Sequence, residues 1–86
     1  FIPMVISNLA SGQISIKHGL QGVNYSVTSA CASGAHSLGE AANYIRQGLC
    51  DVMVAGGAES TVTPLAIGGF AAMRALSTRN DQPGKA

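Results

Sequence analysis

Five basic and four acidic side chains in 86 residues, a net charge of +1 and 47% apolar content describe a core-rich stretch of chain. With 10% charged residues against an average of about 25%, it lacks the composition of a disordered segment and the single-sign field that holds nucleic acid or an anionic membrane. No run reaches the roughly 18–20 apolar residues of a membrane span, and Phe1-Ile2-Pro3-Met4 has no basic region ahead of an apolar one, as a signal peptide would.

The stretch 2–18 reads as a helix, because Ile2, Ile6, Leu9, Gln13 and Ile16 recur at spacings of three or four and Pro3 is tolerable in a first turn. Gly19 and Gly22 close it. Asn24–Ala30 reads as a short strand, since Tyr25, Val27 and Thr28 favour extended backbone. Ser33-Gly34 opens a helix of about fourteen residues with Leu38, Ala41, Ala42, Ile45 and Leu49 as its apolar stripe; Gly48 is the natural stop. Asp51–Gly57 reads as a second strand whose unbroken apolar centre, Val52–Ala55, fits burial on both faces.

Strand, helix and strand in this order predict a right-handed crossover and an α/β fold. Thr63-Pro64 begins another helical stretch through Ile67, Phe70, Ala71 and Arg74, and the polar tail 77–86 reads as loop. Gly, Ala and Ser fill 33 of the 86 positions, and charge is absent from 1–16 and 18–39. Both features suit elements packed closely on all sides. They predict a piece of a larger α/β unit, since two parallel strands cannot bury themselves.

Two cysteines, Cys31 and Cys50, form neither a disulfide framework nor a metal-ligand spacing, and neither a metal nor a cofactor is expected; a reducing interior is the default. Cys31 falls where the first strand would meet the central helix. Small residues around it (Ser29-Ala30-Cys31-Ala32-Ser33-Gly34) would let a nucleophile project, as in the hydrolase nucleophile elbow, and amides at the helix start could bind an oxyanion. Read on its own, Cys31 is equally well one more small apolar residue. A helix amino terminus stabilises an anion by only about 0.3–1 kcal/mol, so a nucleophile here also wants a base or cation. His36 lies five helical residues from Cys31, about 140° around the axis, and His18 ends another helix; both read as structural or surface residues. Cys50 opens a covered strand without polar company and reads as inert. Gly56-Gly57-Ala58-Glu59 lacks phosphate-loop spacing and reads as a tight strand exit.

Residues 25–37, Tyr-Ser-Val-Thr-Ser-Ala-Cys-Ala-Ser-Gly-Ala-His-Ser, resemble the active-site segment of β-ketoacyl-[acyl-carrier-protein] synthases. Residues 51–59, Gly68-Gly69-Phe70 and 75–81 resemble later blocks of the same family in the same order, nearest to the discrete bacterial type II elongating enzymes. The resemblance implies a thiolase-like α/β/α/β/α fold, of which 1–86 would be part of the N-terminal half, incomplete at both ends. It implies decarboxylative Claisen condensation of malonyl-acyl-carrier-protein with an acyl group held on Cys31, whose N–H would form half the oxyanion hole.

On the same resemblance, Phe70 gates the acyl pocket, Ala66 lines it and Arg74 lies near the acyl carrier protein. The segment 24–30 corresponds to the strand that pairs across a homodimer axis, and the setting is the bacterial cytoplasm or a plastid or mitochondrial matrix. Val23 departs from the family, which often has Pro after Gly22. The family's two catalytic histidines and its lysine would lie beyond residue 86. Two other readings compete: a thiol acyltransferase or hydrolase using the same elbow, and a non-catalytic partner subunit, against which the presence of Cys31 argues.

Overall fold

Helices form in this chain where the sequence supplies their ends. The computed structural model describes residues 1–86 and contains three α-helices: α1 (Leu9–His18), α2 (Ser33–Arg46) and α3 (Pro64–Ala72). Short 3-10 turns at Ile2–Met4, Ala30–Ala32 and Pro83–Lys85 complete the helical inventory. Helix α1 stops at Gly19, whose φ of 63° lets the Leu20 N–H reach the Ser15 carbonyl at 2.9 Å. Helix α2 stops in the same way at Gly48, with φ 71° and a 3.0 Å bond from the Leu49 N–H to the Tyr44 carbonyl. At α3 the Thr63 hydroxyl accepts from the Ala66 N–H at 3.3 Å ahead of Pro64 in the first turn. Arg74 takes the left-handed position beyond that helix, with φ 56°, and the Ala75 N–H closes on the Phe70 carbonyl at 3.0 Å.

The expected helix 2–18 is divided. Ile2 and Ile6 remain 65% and 50% exposed, so the first part of the stripe has nothing to pack against and only a 3-10 turn forms there. A helix draws most of its stability from tertiary packing of its apolar face, and α1 begins only at Leu9.

The expected α/β fold is not what this chain forms. No strand or sheet is present, so neither the crossover nor a thiolase-like α/β/α/β/α layering exists here. The physical reason is the ladder. A strand is defined by its partner, and no backbone hydrogen bond joins 24–30 to 51–57. Side chains moor these segments instead. Ser26 donates to the Ser7 carbonyl at 2.9 Å, Asn24 exchanges bonds with Ser11, and the Gly56 carbonyl accepts from Ser37 on α2 at 2.8 Å. The second segment is covered on one face only: Met53 and Ala55 are half-buried, whereas Val52 and Val54 are exposed.

Ala41, in the middle of α2, is the single buried residue; Ala42 beside it is half-buried, and Leu38, Ile45 and Leu49 of the same stripe are exposed. The radius of gyration is 16.8 Å and the accessible surface 7280 Å². A compact domain of this size would have about 12 Å and about 4,700 Å². The chain is therefore an open arrangement with helix faces uncovered.

Candidate functional site

Residues 29–37 form the most heavily cross-braced part of the molecule. Ala30 adopts φ +48°, a left-handed conformation that costs a residue with a Cβ about 1–2 kcal/mol. Cys31 follows at the centre of the 3-10 turn Ala30–Ala32, and α2 begins two residues later at Ser33. The sharp reversal leaves Cys31 exposed at the head of the helix. Its neighbours are small enough to permit this.

Three hydroxyls fix the turn. Ser33 Oγ accepts the Ser29 N–H at 2.8 Å and donates to the Ala30 carbonyl at 2.7 Å. Ser29 Oγ lies 2.7 Å from His36 Nδ1, which ties the approach to the turn to the first coils of α2. Ser37 Oγ is shared between the Gly34 and Gly56 carbonyls, each at 2.8 Å, and so docks the segment after α2 against the start of that helix. His36 is thus a structural partner of Ser29; Cys31 itself lies in the 3-10 turn ahead of α2, so the expected α-helical angle between the two does not apply. No hydrogen bond brings either His18 or His36 to the thiol.

The docking is close because both contacting residues are glycines. A Cβ on Gly57 would sit 3.3 Å from Gly34 Cα and 3.6 Å from its nitrogen, whereas a Cβ on Gly34 would meet Gly57 at an ordinary 3.8 Å. In a full-length synthase carrying this segment, Gly57→Ala is therefore expected to cost roughly 1–3 kcal/mol. Gly34→Ala should cost less, since the contact is normal and alanine favours the helix. Thermal melts of the two variants check the order, and equal midpoints would remove the close approach as the cause.

A cleft of about 450 Å³ runs beside the turn, between residues 23–28 and 53–58, with Ser33, Ser37 and Glu40 of α2 on its wall. Tyr25 stands over this wall, its ring centroid 6.2 Å from that of Tyr44 at a 53° tilt. Desolvation first, then the Tyr44 and Glu40 charges, raises the Tyr25 phenol above its usual value. The side chain is 41% exposed, so water screens this preference.

Of the other candidate residues, Ala66 and Phe70 lie one turn apart on α3, half-buried and exposed respectively, and neither lines the cleft. Arg74 is exposed past the end of α3, and Cys50 is half-buried and unbonded to Cys31. No three His, Cys, Asp or Glu side chains cluster with metal-binding geometry. No helix is long and apolar enough to cross a membrane. Sequence reading missed the bracing by Ser33 and Ser37 and the pairing of Gly34 with Gly57. The run of small residues marked the region without naming partners.

The whole chain, residues 1–86, matches the family described as beta-ketoacyl synthase, N-terminal domain. It is 57% identical to 3-oxoacyl-[acyl-carrier-protein] synthase 2 of Coxiella burnetii, over 100% of this chain and 21% of that protein. Identity is 51% to the synthase 2 of Vibrio cholerae, again over 100% of this chain and 21% of that protein. It is also 51% to the mitochondrial 3-oxoacyl-[acyl-carrier-protein] synthase of Arabidopsis thaliana, over 100% of this chain and 19% of that protein. The chain spans about a fifth of the length of these curated relatives. On a match that runs from the first residue to the last, the chain belongs to the β-ketoacyl synthase family.

Proposed function

We propose that this chain supplies the acyl-accepting cysteine of a fatty-acid-elongating β-ketoacyl-[acyl-carrier-protein] synthase. The observation that carries the reading is the exposed Cys31 at the head of α2, lifted out by the left-handed Ala30. In the first half-reaction the Cys31 thiolate attacks an acyl-thioester, the carrier thiolate leaves, and the acyl group stays on Sγ. The Cys31 N–H contributes to binding the oxyanion of the tetrahedral intermediate. In the second, malonyl-carrier-protein loses CO₂ and the resulting carbanion attacks the Cys31 thioester. The C–C bond forms as the C–S bond breaks, and the thiolate is regenerated.

Acyl carrier protein is then the substrate-bearing partner, as the relatives' names say for those enzymes, with Arg74 at the surface it approaches. Phe70 and Ala66, on one face of α3, serve as gate and wall of the acyl pocket. A second copy would meet the chain along 24–30, where Tyr25 offers an aromatic face. The setting is a bacterial cytoplasm or an organelle matrix, in keeping with bacterial, mitochondrial and chloroplastic relatives.

Labelling tests the assignment. A full-length synthase carrying this segment, incubated with acyl-carrier-protein, should gain one acyl adduct by intact mass. Cys31→Ala should lose it and Cys50→Ala should keep it. An adduct that survives in Cys31→Ala would remove the reading.

A further inference from the structure

Turns that hold a residue with a Cβ at positive φ persist only when their surroundings over-determine them. Ala30 is such a residue, and it immediately precedes Cys31. Were it to relax to negative φ, the peptide between Ala30 and Cys31 would rotate, and Cys31 would no longer project from the head of α2. Something must oppose that relaxation.

The bonding around Ala30 identifies what does. One hydroxyl, Ser33 Oγ, touches the backbone on both sides of it: it accepts the Ser29 N–H at 2.8 Å and donates to the Ala30 carbonyl at 2.7 Å. The Ala32 N–H closes on the Ser29 carbonyl at 3.0 Å, completing a small ring of bonds with Ala30 at its apex. His36 Nδ1, 2.7 Å from Ser29 Oγ, braces that same residue from the next turn of α2. Ser33 is itself held, because its backbone begins the helix. Ser33 does not need to touch substrate to matter. It acts through the geometry of the residue before the thiol.

We propose that Ser33 is a positioning residue: by clamping the Ser29 N–H and the Ala30 carbonyl at once, its hydroxyl holds the left-handed turn that presents Cys31. This deepens the condensing-enzyme reading and rests on it for its catalytic meaning. The presentation of the thiol can nevertheless be measured without any acyl chemistry.

The experiment uses a full-length synthase carrying this segment, with Ser33→Ala, Ser33→Thr, Ala30→Gly and the double variant Ala30→Gly/Ser33→Ala. The rate of Cys31 alkylation by iodoacetamide is read by peptide mass, with Cys50 in the same sample as the internal standard. Ser33→Ala is expected to slow alkylation of Cys31 by roughly tenfold relative to Cys50, the scale of losing one or two hydrogen bonds. Ser33→Thr, which keeps the hydroxyl, should stay within about twofold of the parent. Glycine occupies the left-handed region without penalty, so Ala30→Gly should shrink the effect of Ser33→Ala to roughly threefold or less. Condensation should follow alkylation through kcat rather than KM.

Parent-like alkylation in Ser33→Ala would overturn the proposal. So would a loss that threonine does not restore, that glycine at 30 does not relieve, or that Cys50 shares. Should Ser33→Ala not fold, Ser33→Val is compared with its hydroxyl-bearing isostere Ser33→Thr: alkylation of Cys31 about tenfold slower in the valine protein supports the clamp, and equal alkylation in the two rejects it. Acyl labelling of the parent distinguishes the two levels, because its failure at Cys31 would remove the functional reading while alkylation still reports the positioning.

Discussion

Expressed alone, the 86-residue chain is expected to show no cooperative unfolding transition in urea and no condensation above the buffer rate. One residue is buried, and the accessible surface of 7280 Å² exceeds that of a compact domain by roughly half. The slope of a denaturation curve scales with the surface that unfolding newly exposes, and here most surface is exposed already. The exposed large residues of the α2 stripe, with Leu38 at 59% exposure, and the apolar start of the chain add a tendency to associate. Far-ultraviolet circular dichroism should report partial helix that fades gradually with urea. A sigmoidal transition at micromolar concentration, for a species that sediments as a monomer, would show that the chain buries itself in a way the open arrangement does not allow.

The same openness explains which parts of the molecule were legible in the sequence. The sequence predicts helix α2 nearly to the residue because both of its signals are local: small residues at Ser33-Gly34 permit the start, and Gly48 accepts the left-handed stop. Thr63-Pro64 marked α3 for the same reason. The sequence predicts strands at 24–30 and 51–57 because Val, Tyr and Thr favour strand backbone. Such propensity becomes a strand only when another segment completes the ladder, and none does here. At the candidate site, the run of small residues drew attention to Cys31, and the family resemblance gave it a role. Ser33, Ser37 and His36 could not be assigned partners, because a hydroxyl or an imidazole finds its partner only once the turn and helix have brought the backbone together. Gly34 and Gly57, twenty-three positions apart, meet for a reason that neither local pattern expresses.

Replacement of Cys31 carries the largest expected effect on activity. In a full-length synthase carrying this segment, Cys31→Ala should reduce condensation by roughly 10³-fold or more, the range seen when a covalent nucleophile is removed from an enzyme that works through it. On the proposed mechanism, the thiol would divide one carbon–carbon bond formation between two carrier-bound substrates into sequential steps. Without it, both acyl donors would have to reach the same turn together, and no other nucleophilic side chain takes its place there. Ser29 and Ser33 flank the position, but their hydroxyls are already committed to His36 Nδ1 and to the Ala30 carbonyl. Cys50→Ala should leave the rate within about twofold, because the proposed mechanism gives the half-buried Cys50, unbonded to Cys31, no part in either step. Steady-state rates with a short acyl-carrier-protein donor and malonyl-carrier-protein separate the two cysteines. A Cys31→Ala enzyme that keeps a tenth of its activity, or a Cys50→Ala enzyme that loses nine-tenths while still folded, would move the nucleophile away from the head of α2.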